Sequence, residues 1–171
     1  MIGLYGYIFY FENGNNESRG DASMDIAVVG ADAESVCRAA GSAACFFSSL
    51  SQTPERPWKL LALARDALLT SESDCPPAQN ILLPGDSNLS FVYTSRAAQV
   101  MGYGFSPRDT LTLSSVTGAE PLICLQRRIV TIEGFILEPQ EIPLPPCFTA
   151  LSEDQSLLAA GLWLLTAHVQ S

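Results

Sequence analysis

Histidine is almost missing from this chain: His168 is the single one in 171 residues. Two-histidine metal or catalytic chemistry is therefore impossible, and a cysteine–histidine pair would need the C-terminal segment to fold back onto the body. Basic residues are also scarce, nine against eighteen acidic ones, for a formal net charge of −9. A nucleic-acid surface needs clustered Lys and Arg to neutralise phosphates, and only Arg127 and Arg128 stand together. Nucleic acid is excluded as a partner on that ground, and a neutral or cationic partner is expected. The chain has no GxxxxGK[ST] phosphate loop and no CxxC pair. Its five cysteines, Cys37, Cys45, Cys75, Cys124 and Cys147, are odd in number and make neither a zinc site nor a disulfide framework. They read as reduced, mostly buried thiols of a cytoplasmic protein. The longest nearly continuous apolar run, 157–169, is shorter than the roughly 20 residues of a membrane span. The apolar start, 1–11, lacks the basic region and cleavage site of a signal peptide. No metal, cofactor or membrane contact is expected.

What is present is apolar and patterned. At 47% apolar and 16% charged residues, the chain is richer in core-forming residues than an average domain, and it is long enough to bury a core without staples. Residues 1–11 read as a strand and 12–21 as a polar loop. A short hydrophobic strand then ends at Gly30, as the first buried strand of a parallel sheet does. Met24 at its head suggests a domain over 24–171 with 1–23 as an N-terminal extension. A helix is predicted over 33–50, and a second over 58–69 from the helical recurrence of Leu60, Leu61, Leu63, Ala64, Ala67 and Leu68. Strands are expected next at 80–83 and 100–103, with a short helix over 91–98 between them, capped by Asn88 or Ser90.

From Thr110 the rhythm changes to period two, the mark of a half-exposed strand over 110–115. Segments 122–132 and 135–137 flank Glu133-Gly134, a two-residue hairpin turn. Pro139, Pro143, Pro145 and Pro146 forbid a central strand over 139–146 and confine that segment to a sheet edge. A final helix over 153–169 opens on Ser152 with Gln155 three residues on, a capping box, and is apolar nearly all round. The fold class expected is α/β: a Rossmann-like layered sheet, parallel strands at the N-terminal side and antiparallel ones at the C-terminal side, with helices on the faces.

Candidate chemistry is sparse. The turn Val29-Gly30-Ala31-Asp32-Ala33-Glu34 lacks the three glycines of a dinucleotide fingerprint, and Asp32 and Glu34 put negative charge where phosphate would sit. Asp86-Ser87-Asn88 comes after a buried strand, where α/β sheets place ligand loops, though Asx-turn and cap chemistry is the favoured reading over a ligand contact. Gln126-Arg127-Arg128, read as a strand, sends Gln126 and Arg128 to one face and Arg127 to the other. The default reading is a solvated edge or an ion pair to Glu133, Glu138 or Glu141, and the functional alternative is an anion or carboxylate clamp. Glu138 and Glu141 sit three residues apart in a proline-bounded segment. Cys124 reads as a buried structural thiol.

Residues 80–112 carry a resemblance. Ile81-Leu82-Leu83-Pro84-Gly85-Asp86, then Val100-Met101-Gly102-Tyr103-Gly104-Phe105-Ser106, then Asp109-Thr110-Leu111-Thr112-Leu113-Ser114 resemble the end of the central ATPase domain of Mur ligases. The Tyr-Gly…Cys-Leu-Gln-Arg…Glu-Pro-Gln-Glu pattern is similar to small uncharacterised Firmicutes proteins, which implies a bacterial source. The phosphate loop, metal-binding residues and carbamylated-lysine region of a Mur ligase have no counterpart. The resemblance therefore implies a fold relative without ligase activity, in which Asp86 alone could be carried over, as a nucleotide-base contact.

Two functions are expected from these readings. The first is a non-catalytic binding or accessory protein that meets a partner through 103–115 and 126–141, with cell-envelope metabolism as the setting the resemblance implies. The second is a small-molecule or nucleotide binder, or a minimal enzyme, with a site at the strand ends built from Asp86, Asn88, Tyr103, Ser106 and Arg127. Gln126, Glu138 and Glu141 complete the candidate ligand contacts. Self-association through the apolar final helix is a third expectation.

Overall fold

The computed structural model describes residues 25–67, 76–87, 97–114 and 120–167. Its frame is one eight-stranded sheet. The strands are β1 (Ile26–Val29), β2 (Cys45–Phe47), β3 (Trp58–Leu63), β4 (Ala78–Pro84), β5 (Gln99–Gly104), β6 (Leu111–Ser114), β7 (Leu122–Leu125) and β10 (Gln140–Pro143), in the spatial order β10-β7-β6-β5-β4-β3-β1-β2. From β2 to β6 all neighbours run parallel, while β7 and β10 are antiparallel additions. The remaining strands, β8 (Ile129–Val130) and β9 (Ile136–Leu137), form a separate hairpin. The expected layered α/β sheet, parallel first and antiparallel later, is what the chain adopts.

Among the described residues, two helices cover one face: α1 (Ala33–Ala39) and α2 (Glu153–Leu165). Val28, Leu60, Ala62, Leu82, Met101 and Leu111 point into this layer and meet Val36 of α1 and Leu157, Leu158 and Leu162 of α2. The alternate residues Ala27, Val29, Leu61, Leu63, Ile81 and Leu83 form a second core on the opposite face, packed with Leu50 and Trp58. The central strands are thus buried on both sides, and this explains the largest departure from expectation. The segment 58–69, predicted as a helix, begins with β3, the strand between β1 and β4. A strand with two covered faces needs no alternation and reads as a continuous apolar run. Joined to Ala64 and Ala67, that run counterfeits helical spacing.

The predicted helix over 33–50 stops at Ala39. Gly41 adopts φ 62, its N–H meets Arg38 O, and the Ser42 N–H meets Cys37 O, a Schellman stop whose left-handed residue favours glycine. The chain then forms β2. The final helix keeps its predicted start: Ser152 Oγ accepts the Gln155 N–H at 3.3 Å and Gln155 Oε1 accepts the Ser152 N–H at 3.0 Å. It ends at Leu165, and its apolar circumference from Leu157 to Leu162 is buried within the chain. That removes the reason it offered for self-association.

The C-terminal half departs in smaller ways. The β8–β9 hairpin is closed over five residues by Thr131 N–H to Phe135 O, so Glu133-Gly134 is part of a longer turn, and β7 belongs to the main sheet. Leu111 and Thr112 of β6 are both buried, because β5 and β7 flank that strand. Segment 126–128 is an exposed loop after β7. The prolines did mark an edge: β10 is the outermost strand.

Ile129 and Leu137 seat the hairpin in the core beside the sheet, and one side chain adds a polar link between the two. Gln99 accepts the Val130 N–H on Oε1 and donates to Val130 O from Nε2, both at 2.8 Å. Nε2 also reaches Asn80 Oδ1 at 3.1 Å, and Asn80 donates in turn to Lys59 O. The strand expected over 1–11, the extension 1–23, all but the last two residues of the helix expected over 91–98, Asn88, Cys75 and His168 lie outside the described residues; residues 97 and 98 are not helical.

Candidate functional site

The strand order reverses between β1 and β3. The chain leaves β1 outward through α1 to β2, then returns to β3 on the other side of β1 and continues through β4 to β6. Loops at such a reversal diverge at the carboxyl ends of the strands and leave a crevice between them. One is present here, with a volume of about 490 Å³. Its walls come from the α1 entry (Asp32, Val36), the β3 exit (Ala64, Arg65, Asp66), Tyr103 near the end of β5, and the first turns of α2 (Ser152, Asp154, Gln155, Leu158).

Arg65 organises the β3 side. Its Nε and Nη2 grip the two oxygens of Asp154 at 2.9 and 3.0 Å, and Nη1 sits 2.7 Å from both oxygens of Asp86. The guanidinium pKa is raised by the Asp154 bonds first and the Asp86 bonds second. Arg65 in turn holds the Asp86 carboxyl below its usual range. All three groups are partly in solvent, so the value of the triad lies less in energy than in tying the β3 and β4 exits to the start of α2.

Gln155 spans the opposite side. While Oε1 closes the capping box, Nε2 donates to Asp32 Oδ2 at 2.6 Å, joining the two helix starts. Beneath the Gly30 turn, Asp66 Oδ2 accepts the Ala31 N–H at 2.7 Å. The protein's own carboxylate therefore occupies the turn amide that a dinucleotide-binding fold would offer to a pyrophosphate. Tyr103 lies on the floor, 1% exposed, with its hydroxyl donating to Leu63 O at 3.0 Å. Burial, then the nearby Asp154 charge, pushes that phenol well above its ordinary range.

A second feature stands at the ends of β4 and β5. Asp109 is 6% exposed and its Oδ2 accepts the Ser106 N–H at 2.9 Å. The carboxylate rests against three glycines. A methyl on Gly85 would coincide with Oδ1, one on Gly104 would lie 2.5 Å from Oδ2, and Gly102 packs on Gly85 Cα. Absence of side chains there lets the carboxylate nest against backbone.

Of the residues expected to bind a ligand, the crevice region unites two, Tyr103 on its floor and Asp86 through Arg65. Ser106 is exposed in the turn before Asp109, where its hydroxyl accepts the Arg108 N–H. Gln126 and Arg127 come after β7, Glu138 precedes β10 and Glu141 lies on it; all four are exposed, and none lines the crevice. Gln126 bonds Thr112 Oγ1. Among the described residues, the ion pairs join Arg38 to Glu34, Lys59 to Asp25 and Arg65 to Asp86 and Asp154, so of the two default readings of Gln126–Arg128 the exposed segment takes the solvated one. The stretch 103–114 presents no continuous outer face, since Tyr103 and the residues from Asp109 to Thr112 are buried. Cys124 is buried in β7, and burial, together with the smaller effect of the Glu141 charge, raises its thiol pKa.

Sequence reasoning passes over Arg65, Asp66, Asp154 and Gln155 as site residues. Read as a strand, Trp58–Leu63 would place Ala64-Arg65-Asp66 at a strand's carboxyl end, which is where ligand loops occur. No helix among the described residues is long and apolar enough to cross a membrane. Comparison with protein-family models, curated proteins and solved structures found no match.

Proposed function

We propose that this chain is a non-catalytic binding protein for a small molecule, with its site in the crevice between α1, the β3 exit and the start of α2. The observation that carries the reading is the meeting of polar groups from three separate turns around a 490 Å³ space at the reversal of strand order. That volume is within the range of small-ligand sites, which combine an apolar lining with a few placed polar groups. Binding is favoured over catalysis because the groups best suited to chemistry are already engaged. Arg65 is held by two carboxylates, and the Tyr103 hydroxyl is bonded to backbone. The described lining contains no cysteine, histidine or lysine. A cytoplasmic setting accompanies this reading, since Cys37, Cys45, Cys124 and Cys147 are unpaired, as a reducing compartment leaves them. The reading does not draw on the Mur ligase resemblance.

The test is a fragment screen by amide NMR on the whole chain. Fragments that bind should shift the amides of Val36, Ala64, Arg65 and Leu158 together, and should raise the melting temperature, as any ligand specific for the native state does. A screen whose hits leave those four amides unmoved would overturn the proposal.

A further inference from the structure

We infer that the crevice takes a ligand with a protonated amine at one end and an apolar body at the other, and that it rejects phosphates; this inference rests on the binding reading above. It turns on which polar atoms of the crevice are still open. Anions in doubly wound sheets are usually held at the first βα turn or at a helix N-terminus. Here the chain's own groups take part of both seats, with Asp66 on the Ala31 N–H and the Ser152–Gln155 box on the Ser152 and Gln155 N–H. The one cationic side chain in the lining, Arg65, is gripped by Asp154 and Asp86.

Two of the crevice carboxylates keep acceptor capacity. Asp32 gives Oδ2 to Gln155 and Asp66 gives Oδ2 to Ala31, and the Oδ1 atom of each takes no hydrogen bond from a described residue. An ammonium brings three donors and no acceptor, the complement of such a pair. A phosphate would bring more negative charge to a wall where three aspartates face one arginine. Val36, Ala64, Leu158 and the Tyr103 ring supply the apolar wall for the body of the ligand, and low-dielectric walls strengthen the attraction of the carboxylates for a cation. A bare metal ion fits less well: among the described residues no group of three or more His, Cys, Asp or Glu is placed to hold one. The excess of acidic residues over the whole chain adds attraction at longer range.

The experiment titrates the intact protein with three probes sharing a phenyl body, namely phenethylamine, 2-phenylethanol and phenyl phosphate, monitored by amide NMR. Phenethylamine should shift the crevice amides and bind about tenfold more tightly than the alcohol or better, more weakly as salt rises, while phenyl phosphate leaves them unmoved. Asp66→Asn, which keeps an acceptor for the Ala31 N–H and removes the charge, should weaken the amine more than the alcohol and so cut the preference, whereas a folding defect would weaken both alike. Equal or tighter binding of the alcohol or the phosphate at the crevice would overturn the amine assignment and leave the binding site standing. Silence from all three probes, with fragment hits still at the crevice, would also overturn it. Silence from probes and fragments alike would remove the site itself.

Discussion

Replacing Gly85 with alanine puts the Asp109 nest to a quantitative test. Gly85 is not among the residues with positive φ, so alanine is compatible with its backbone, and the stiffer unfolded chain should favour the variant by about 0.4–1 kcal/mol. Against that, the new methyl would coincide with Asp109 Oδ1, in a carboxylate that is 6% exposed and bonded to the Ser106 N–H. Forcing it aside costs roughly 1–3 kcal/mol of overpacking and about 1.5–3 kcal/mol for a hydrogen bond to a charged group. The net expectation is a loss of about 3 kcal/mol. For a chain of this length that is a fall in melting temperature of roughly 6–12 °C. The assay is a double-mutant cycle read by urea and thermal unfolding. Asp109→Ala removes the obstacle, so in that background Gly85→Ala should be neutral or slightly stabilising, and the coupling should approach the full cost of the single change. A Gly85→Ala variant as stable as the wild type, or equally destabilised in both backgrounds, would show that Asp109 does not depend on the bare backbone at Gly85.

Three further outcomes are expected. Burial pushes the Cys37 thiol up from 9.0 to about 11. Because the folded value is the higher one, its contribution is complete below pH 9 and is lost as pH rises through 11, about 2–3 kcal/mol in all; urea midpoints across that window should fall, and less steeply in Cys37→Ala. Ser152→Ala removes an N-cap and should cost about 1 kcal/mol, seen as a lower urea midpoint with the sheet signal intact. Leu61→Ala, at 0% exposure in the strand between β1 and β4, should cost about 2–5 kcal/mol; a loss under about 1 kcal/mol by the same assay would show that β3 is not central.

Features with a local physical signature are legible in the sequence. Gly30 ends a buried strand, the Ser152–Gln155 spacing announces a capping box, and the prolines after Glu138 mark a sheet edge. The features that escape reading depend on partners distant in the chain. Whether Leu60, Leu61, Ala62 and Leu63 form a helix or a doubly covered strand is decided by β1 and β4 beside them, and nothing within 58–69 records those neighbours. The crevice is lost with that choice, since Arg65 acquires meaning only through Asp86 and Asp154, 21 and 89 residues further on. Asp32 is visible as a charge hostile to phosphate, but its bond to Gln155 crosses 123 residues. Tyr103 and Asp86 stand out for lying near strand ends, a topological reason. Gln126, Glu138 and Glu141 stand out for residue type, and Arg127 for a strand that the chain does not form there; all four lie elsewhere.

The Gln99 amide has a consequence for how the molecule opens. A peptide-like pair of hydrogen bonds holds the β8–β9 hairpin to the sheet, yet it hangs from side-chain rotors. Rotation about them would free the Val130 amide without breaking any bond of the β4–β5 ladder. Hydrogen exchange at Val130 should therefore track local opening, far faster than exchange at Leu82 or Met101, whose release needs the sheet to come apart. In Gln99→Ala the Val130 amide alone should lose its protection, while Ile129 and Leu137 in the core and the Ile132 N–H on Leu165 O keep the hairpin seated.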